Sequence, residues 1–390
     1  MKLLVVGGGT GGHVMPAMVV VKEVKRISVR SQVEFWTDRK NVELVKRLAK
    51  DDGLRVKVKG VAAGKFRRYA GWSLKDYFAR IDITLKDLIG KNIVNFFRFL
   101  FGFCQSFLRL MPKGKRPDVI FLKGGYVGLP VGIVARILKI PYIIHESDAV
   151  IGLANKLLVA DAKYVAMGVP CEENEKKKYV GIPIGEEYKK VGVKKQRELK
   201  EALGFDPDEP FVMVTGGSQG AQTLNEAVRH EIEKWIKVCN VGLLTGKKHY
   251  VEMEDLKELE ATGKFRMWDY SYMIHELLGA ADVVISRAGA TTIASLMALS
   301  KAVILVPFER LPGSHQVVNA KKMAESGAVE YILNDEVYNH PEKLTEKLME
   351  LIGNEEKRDN LAKQLGAAHK KDAGKKLAEM IFEVYYDAKK

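Results

Sequence analysis

VVGGGTGGHVMPA, Val5 to Ala17, is the stretch that decides the fold. Within it an apolar run meets five glycines in six residues, and His13 comes straight after. The run KLLVVG, Lys2 to Gly7, has the make-up of a buried strand, and Ala17–Arg30 continues with helical spacing. Glycines this dense let backbone N–H groups come close to a ligand, most often a phosphate at a helix start. Gly7, Gly9 and Gly12 also fit G-x-G-x-x-G, and Asp38 ends the next predicted strand where a ribose-binding acid stands in dinucleotide sites. Taken alone, the loop fits a nicotinamide or flavin site, another phosphate site, or a tight turn.

The pattern around it repeats. VEFWTD (33–38), DVIFLKG (118–124), YIIHE (142–146) and the segment near Tyr179–Gly181 read as further strands, with amphipathic stretches such as Val42–Lys50 between them. A second series follows the charged stretch Glu186–Lys200: FVMVTGG, VGLLTG, FRMWDY, DVVISRAG and AVILVPF, again separated by helical patterns. Such alternation predicts parallel sheets, hence an α/β chain of two doubly wound domains joined near Gly181–Lys195. The tail Pro341–Lys390 reads as charged helix.

Bulk properties agree with two domains. The chain has 390 residues, 47% of them hydrophobic. Cys104, Cys171 and Cys239 are too scattered for a disulfide or metal framework, which points to a reducing compartment. Met1 runs directly into the first strand, and no signal peptide is expected. The net charge of +14 is uneven: residues 1–150 hold 28 Lys/Arg against 12 Asp/Glu, net +16, so the remaining 240 carry −2. A basic first half favours an anionic partner: nucleic acid, an acidic membrane surface or a phosphorylated substrate. No nucleic-acid motif accompanies it, and no nucleic-acid partner is expected.

Three more glycine patches stand at strand ends: KGGYVGLPVG (123–132), GGSQGA (216–221) and SRAGATT (286–292). Ligands bind at the carboxyl edge of open α/β sheets, so four such tips describe a cleft between facing domains. The second phosphate loop and the histidine after Gly12 are features a dehydrogenase does not explain.

Taken in order, GGGTGGHVMPA, KGGYVGLPVG, HESDAVIGLANK, VTGGSQGAQTLNEA, SRAGATT and VPFERLPGSHQVVNA closely resemble glycosyltransferase family 28, the MurG family of bacterial UDP-N-acetylglucosamine transferases. The resemblance covers about Met1 to Val329. It implies a GT-B fold: two Rossmann-like doubly wound parallel-sheet domains facing across a cleft. Residues 1–182 would form an acceptor- and membrane-binding domain, 183–370 a UDP-sugar-binding domain, and 371–390 a C-terminal helix returning to the first. The implied reaction is inverting hexosyl transfer from UDP-GlcNAc to the MurNAc 4-hydroxyl of lipid I, undecaprenyl-diphospho-MurNAc-pentapeptide. The products are lipid II and UDP, for peptidoglycan synthesis and so for cell shape and division. No cofactor or metal is implied; helix ends and loop amides would hold the departing diphosphate. Partners would be lipid I, an anionic membrane surface on the cytoplasmic face, and cell-wall synthesis proteins.

Site residues follow by motif. For the donor the resemblance implies Thr10, Gly11, Gly12, Asp148, Gly217, Ser218, Gln219, Tyr270, Met273, Ala290, Thr291, Thr292, Ser295, His315, Gln316 and Asn319. Within that set, Gly216–Gly220 serve the phosphates, Tyr270 the uracil edge and Gln316 the sugar hydroxyls. For the acceptor diphosphate it implies Gly9, Gly11, Gly124, Gly125 and Tyr126, with Lys123 either adding charge or lying solvated on the surface. Two departures stand out: Ser295 replaces the usual ribose-binding Glu, and GIPIG (181–185) puts Ile182 and Gly185 where the family has Asn and Arg. His13, whose ordinary pKa is near neutrality, is a candidate general base, with fixing the loop or the acceptor diphosphate as its other role; Asp148 is the rival base.

Ile83–Met111 is rich in Phe and Leu with interspersed cations. Its longest uncharged run, Phe99–Leu108, is ten residues, about half of what a spanning helix needs. Leu88, Ile89, Ile93, Phe96, Phe97 and Leu100 recur at helical spacing, which predicts a helix lying in the membrane interface. The nearest rival to this function is another membrane-surface GT-B enzyme such as a diacylglycerol glucosyltransferase; a silenced homologue is a further one.

Overall fold

A computed structural model describes residues 1–66, 90–217, 220–310 and 314–390. The chain divides into two compact units, Met1–Gly185 with Lys370–Lys390, and Glu186–His369.

The first unit holds a seven-stranded sheet: β1 (Lys2–Val6), β2 (Gln32–Thr37), β3 (Val56–Gly60), β4 (Val119–Leu122), β5 (Tyr142–Glu146), β6 (Tyr164–Met167) and β7 (Lys177–Tyr179). Their order is β3-β2-β1-β4-β5-β6-β7, and every pairing is parallel. The central strands are buried along their whole length, β4 as the apolar run VIFL, because helices cover both faces. On one face α1 (Gly11–Ile27) packs against the C-terminal helix Ala373–Asp387, whose Leu377, Ile381 and Val384 share a core with Val5, Val20 and Phe35. α2 (Val42–Asp51) adds Val45 and Ala49 to that core. On the other face lie α3 (Lys91–Leu110) and α4 (Gly128–Ile137), over Leu4, Val6, Ile120 and Ile144.

The second unit has a six-stranded parallel sheet: β8 (Phe211–Thr215), β9 (Asn240–Leu244), β10 (Phe265–Trp268), β11 (Val283–Ser286), β12 (Ala302–Leu305) and β13 (Glu330–Tyr331), ordered β10-β9-β8-β11-β12-β13. The helices that matter for ligand binding are α5 (Gln222–Trp235), α6 (Ala290–Leu299) and α7 (His315–Glu325).

Both sheets reverse strand order at one place, between β1 and β4 in the first unit and between β8 and β11 in the second. The four glycine patches leave those four strands at their carboxyl ends. That is where an open α/β sheet forms its ligand crevice.

α3 is built inside out. Its buried positions are Asn95, Gly102, Ser106 and Leu110, while Phe97 and Phe101 stand 63% and 58% exposed. Small residues let it sit close: a Cβ on Gly102 would overlap the Ala62 carbonyl oxygen, and the Gln105 amide oxygen accepts from Ala62 N–H at 3.0 Å. Arg109 stacks on Trp36 at 5.2 Å and donates to the Gly60 carbonyl, which pins the far end. By length and composition α3 could cross a bilayer. Its seat against Gly60, Ala62 and Trp36 instead makes it a layer of the domain. Leu88 and Ile89 lie outside the described residues; Ile93, Phe96, Phe97 and Leu100 all lie exposed on α3.

Candidate active site

In the first unit three loops converge at the carboxyl edge: Gly7–His13 after β1, Lys123–Val127 after β4 and Glu146–Asn155 after β5. Asp38 shapes the first. Its Oδ2 accepts from Gly9 N–H at 2.6 Å and from Asn41 Nδ2 at 2.7 Å. That carboxylate oxygen is spent on the loop, which tells further against the dinucleotide reading that the sequence already disfavours. Gly9 lies against the Tyr126 ring, which ties the first loop to the second. In the second loop Gly124 and Gly125 have φ of +92° and +78°, backbone that side chains resist, and His13 packs over Gly125. Glu146 organises the third loop, accepting from Gly152 N–H at 2.9 Å and Asn155 Nδ2 at 2.8 Å. Thr10, Gly11 and Gly12 stay partly exposed at the start of α1, and Gly11 faces open space.

His13 is thus gathered with Lys123, His145, Glu146, Ser147 and Asp148. Its Nδ1 is buried without a partner. Burial first, and the Lys123 ammonium second, lower its pKa to about 4, with Asp148 pulling the other way. His13 therefore lacks the near-neutral pKa expected from its residue type alone. The imidazole is neutral at physiological pH and free to take a proton, but it is a weaker base than free histidine.

Lys123 is no surface lysine. It is 1% exposed, and its Nζ donates to Ser147 Oγ at 2.5 Å. Burial lowers its pKa to about 8, with Glu146 and Asp148 opposing. His145 donates from Nε2 to the Gly181 carbonyl at 2.8 Å, and burial holds its pKa well below the usual value. Lys123 and Ser147 were not picked out as a pair by sequence reading; the only signal was a lysine at the end of an apolar strand.

In the second unit Gly216 and Gly217 follow β8, Gly220 and Ala221 precede α5 with Gly220 N–H donating to the Gly217 carbonyl, and the loop after β11 leads into α6. Thr292 Oγ1 lies near both Gly217 and Gly289, so the two tips are neighbours. Both helices start without a side-chain cap and without an acidic residue in the first turn, as does α1. Bare helix starts of this kind suit an anion. Ser218 and Gln219 lie outside the described residues. Tyr270 and Met273 are exposed, with Lys247 Nζ 5.2 Å over the Tyr270 ring. Ala290 and Thr291 sit in the first turn of α6.

Three donor assignments change character. Ser295 is buried and its hydroxyl donates to the Thr291 carbonyl at 3.1 Å, so its proton is committed to its own helix. Gln316 uses its Oε1 to accept from Phe308 N–H at 3.0 Å, which leaves the amide NH₂ for a ligand. Asn319 is buried and donates to the Ala288 carbonyl, bracing α7 against the loop after β11 beside His315. Sequence reading passed over Arg287, which donates to the Val306 carbonyl at 3.0 Å and lies over the Phe308 ring. Among the described residues no three His, Cys, Asp or Glu side chains group as a metal site.

Comparisons with known proteins identify relatives of this chain. Residues 3–167 match the glycosyltransferase family 28 N-terminal domain and residues 211–377 its C-terminal domain. The chain is 32% identical to the UDP-N-acetylglucosamine–N-acetylmuramyl-(pentapeptide) pyrophosphoryl-undecaprenol N-acetylglucosamine transferase of Bacillus pumilus, over 98% of this chain and 99% of that one. Among solved structures, Acinetobacter baumannii MurG superposes with a TM-score of 0.70 at 24% identity, covering 98% and 99% of the two chains. A UDP-GlcNAc 2-epimerase from Neisseria meningitidis shares the fold with a TM-score of 0.61 at 12% identity, covering 98% and 100%.

Proposed function

The chain belongs to glycosyltransferase family 28, and from that premise we propose that it is an inverting hexosyltransferase of peptidoglycan synthesis. It moves GlcNAc from UDP-GlcNAc to the 4-hydroxyl of MurNAc in lipid I and releases lipid II and UDP. The observation that carries this reading is the end-to-end likeness, at 32% identity, to a transferase named for that reaction. The fold alone would not do so, because an epimerase shares it.

The residues divide the work by unit. In the second unit the Gly216–Gly220 turn and the starts of α5 and α6 stabilise the charge that gathers on the departing UDP. Gln316 meets the sugar hydroxyls through its free NH₂, and the Tyr270 segment meets the uracil. In the first unit the Gly9–Gly12 and Gly124–Tyr126 loops hold the acceptor diphosphate, and neutral His13 takes the proton of the attacking hydroxyl. Ser295 is dropped from the donor set. A UDP-release assay with several UDP-sugars tests the reading: release with UDP-GlcNAc and a lipid I analogue supports it. Release only with diacylglycerol as acceptor points to a lipid glucosyltransferase.

The enzyme works at the cytoplasmic face of the membrane, held there by α3. Each phenyl side chain moved out of water contributes about 1.5–3 kcal/mol, and each nearby Lys or Arg adds about 1 kcal/mol on anionic lipid. Phe97→Glu with Phe101→Glu is expected to weaken co-sedimentation with phosphatidylglycerol vesicles tenfold or more, with Tm unchanged because both rings are exposed. Wild-type binding should also weaken with salt. Equal binding by the double variant would remove α3 as the anchor.

A further inference from the structure

We propose that Lys123 is a buried counter-charge for the acceptor diphosphate, acting through Ser147. The inference rests on the reading of the first unit as the acceptor site. Its basis is a buried cation whose hydrogen bond goes to a neutral hydroxyl rather than to a carboxylate. The Lys123 stem passes beside Gly7 at the tip of β1, and its Nζ reaches Ser147 beyond β5, so it lies beneath all three converging loops. It is almost wholly buried, its hydrogen bond goes to Ser147, and the carboxylates of Glu146 and Asp148 act on it only through space. Ser147 Oγ, a neutral acceptor, takes one of its three protons. A buried ammonium left this way is costly unless an anion arrives.

The groups facing it are Glu146 and Asp148 from β5 and the loop beyond, His145 from β5 and His13 from α1. The carboxylates are partly committed elsewhere: Glu146 accepts from Asp148 N–H, Gly152 N–H and Asn155. Because Ser147 accepts from Lys123, its own proton is left to donate outward to a phosphate oxygen, strengthened by the ammonium behind it. An anion over the loops would draw Lys123 further toward its charged form. Its pKa is lowered to about 8, so acceptor binding takes up protons as the pH nears and passes that value.

The test combines three measurements on full-length enzyme. First, kcat/KM for a water-soluble lipid I analogue is expected to fall above about pH 8 in the wild type. In Lys123→Met this alkaline limb should vanish and acceptor KM rise at least tenfold, with KM for UDP-GlcNAc within twofold. Second, Lys123→Met is expected to raise Tm, since it removes a buried unpaired charge; a fall in Tm with unchanged acceptor KM would make Lys123 structural and overturn the proposal. Ser147→Ala should raise acceptor KM yet keep the alkaline limb. Third, inorganic pyrophosphate is titrated calorimetrically, with UDP saturating the nucleotide site, in buffers of different ionisation enthalpy at pH 8. Proton uptake in the wild type that is lost in Lys123→Met supports the counter-charge even if lipid I proves not to be the acceptor. Equal pyrophosphate binding by both proteins overturns it whatever the acceptor is.

Discussion

His13→Ala is expected to lower kcat by about 10²- to 10⁴-fold, the usual worth of a positioned general base, with KM for UDP-GlcNAc nearly unchanged. The imidazole packs on Gly125, within the convergence of the three acceptor loops, and is neutral because burial and Lys123 lower its pKa to about 4. The sign follows directly. A base must be unprotonated, so activity is present above the lowered pKa and is lost only as the pH falls toward about 4. The wild-type kcat/KM profile should therefore show no step near 6.5, where free histidine titrates. Asp148 favours the imidazolium that forms in the reaction, so Asp148→Asn should cost less than His13→Ala. If His13→Ala kept near-normal kcat while Asp148→Asn lost it, the base would be Asp148.

Gly220→Val is expected to weaken UDP binding a hundredfold or more. Gly220 has φ of +73°, a conformation that a β-branched residue rarely adopts, at a cost of about 1–3 kcal/mol. A Cβ there would also overlap the Thr245 carbonyl oxygen after β9 and press on His249. The turn that presents amides to the diphosphate would have to open. Calorimetric titration with UDP reads the loss, and unfolding of the first unit, which makes none of these contacts, should be unchanged. Normal UDP affinity in this variant would show that the turn is not the phosphate cradle.

Much of this fold could be read from the chain because its strongest elements are local. The runs KLLVV and FVMVT announce strands covered on both faces, and the glycines after them announce the turns. The strands that sequence reading missed lack that signal. β3 is VKVKG, an edge strand whose lysines alternate toward solvent; β6 is a four-residue run, and β13 only two residues. The site divides in the same way. The glycine loops and His13 were legible, since each lies within one short stretch. The Asp38 clamp on Gly9, the Lys123–Ser147 contact and the altered pKa of His13 were not, because each arises only when distant segments meet at the sheet edge. Ser295 shows a subtler limit: alignment placed it in a ligand position, while a hydroxyl within a helix has its own backbone to bond.

The bond that the enzyme makes decides its function. Incubating the enzyme with UDP-GlcNAc and a lipid I analogue, then determining the product by mass spectrometry and NMR, identifies that bond. The expected product carries one added GlcNAc, joined through the β anomer to the 4-hydroxyl of MurNAc, with one UDP released per sugar transferred. An α linkage, a different hydroxyl, or free 2-epimerised sugar with no acceptor product would contradict it.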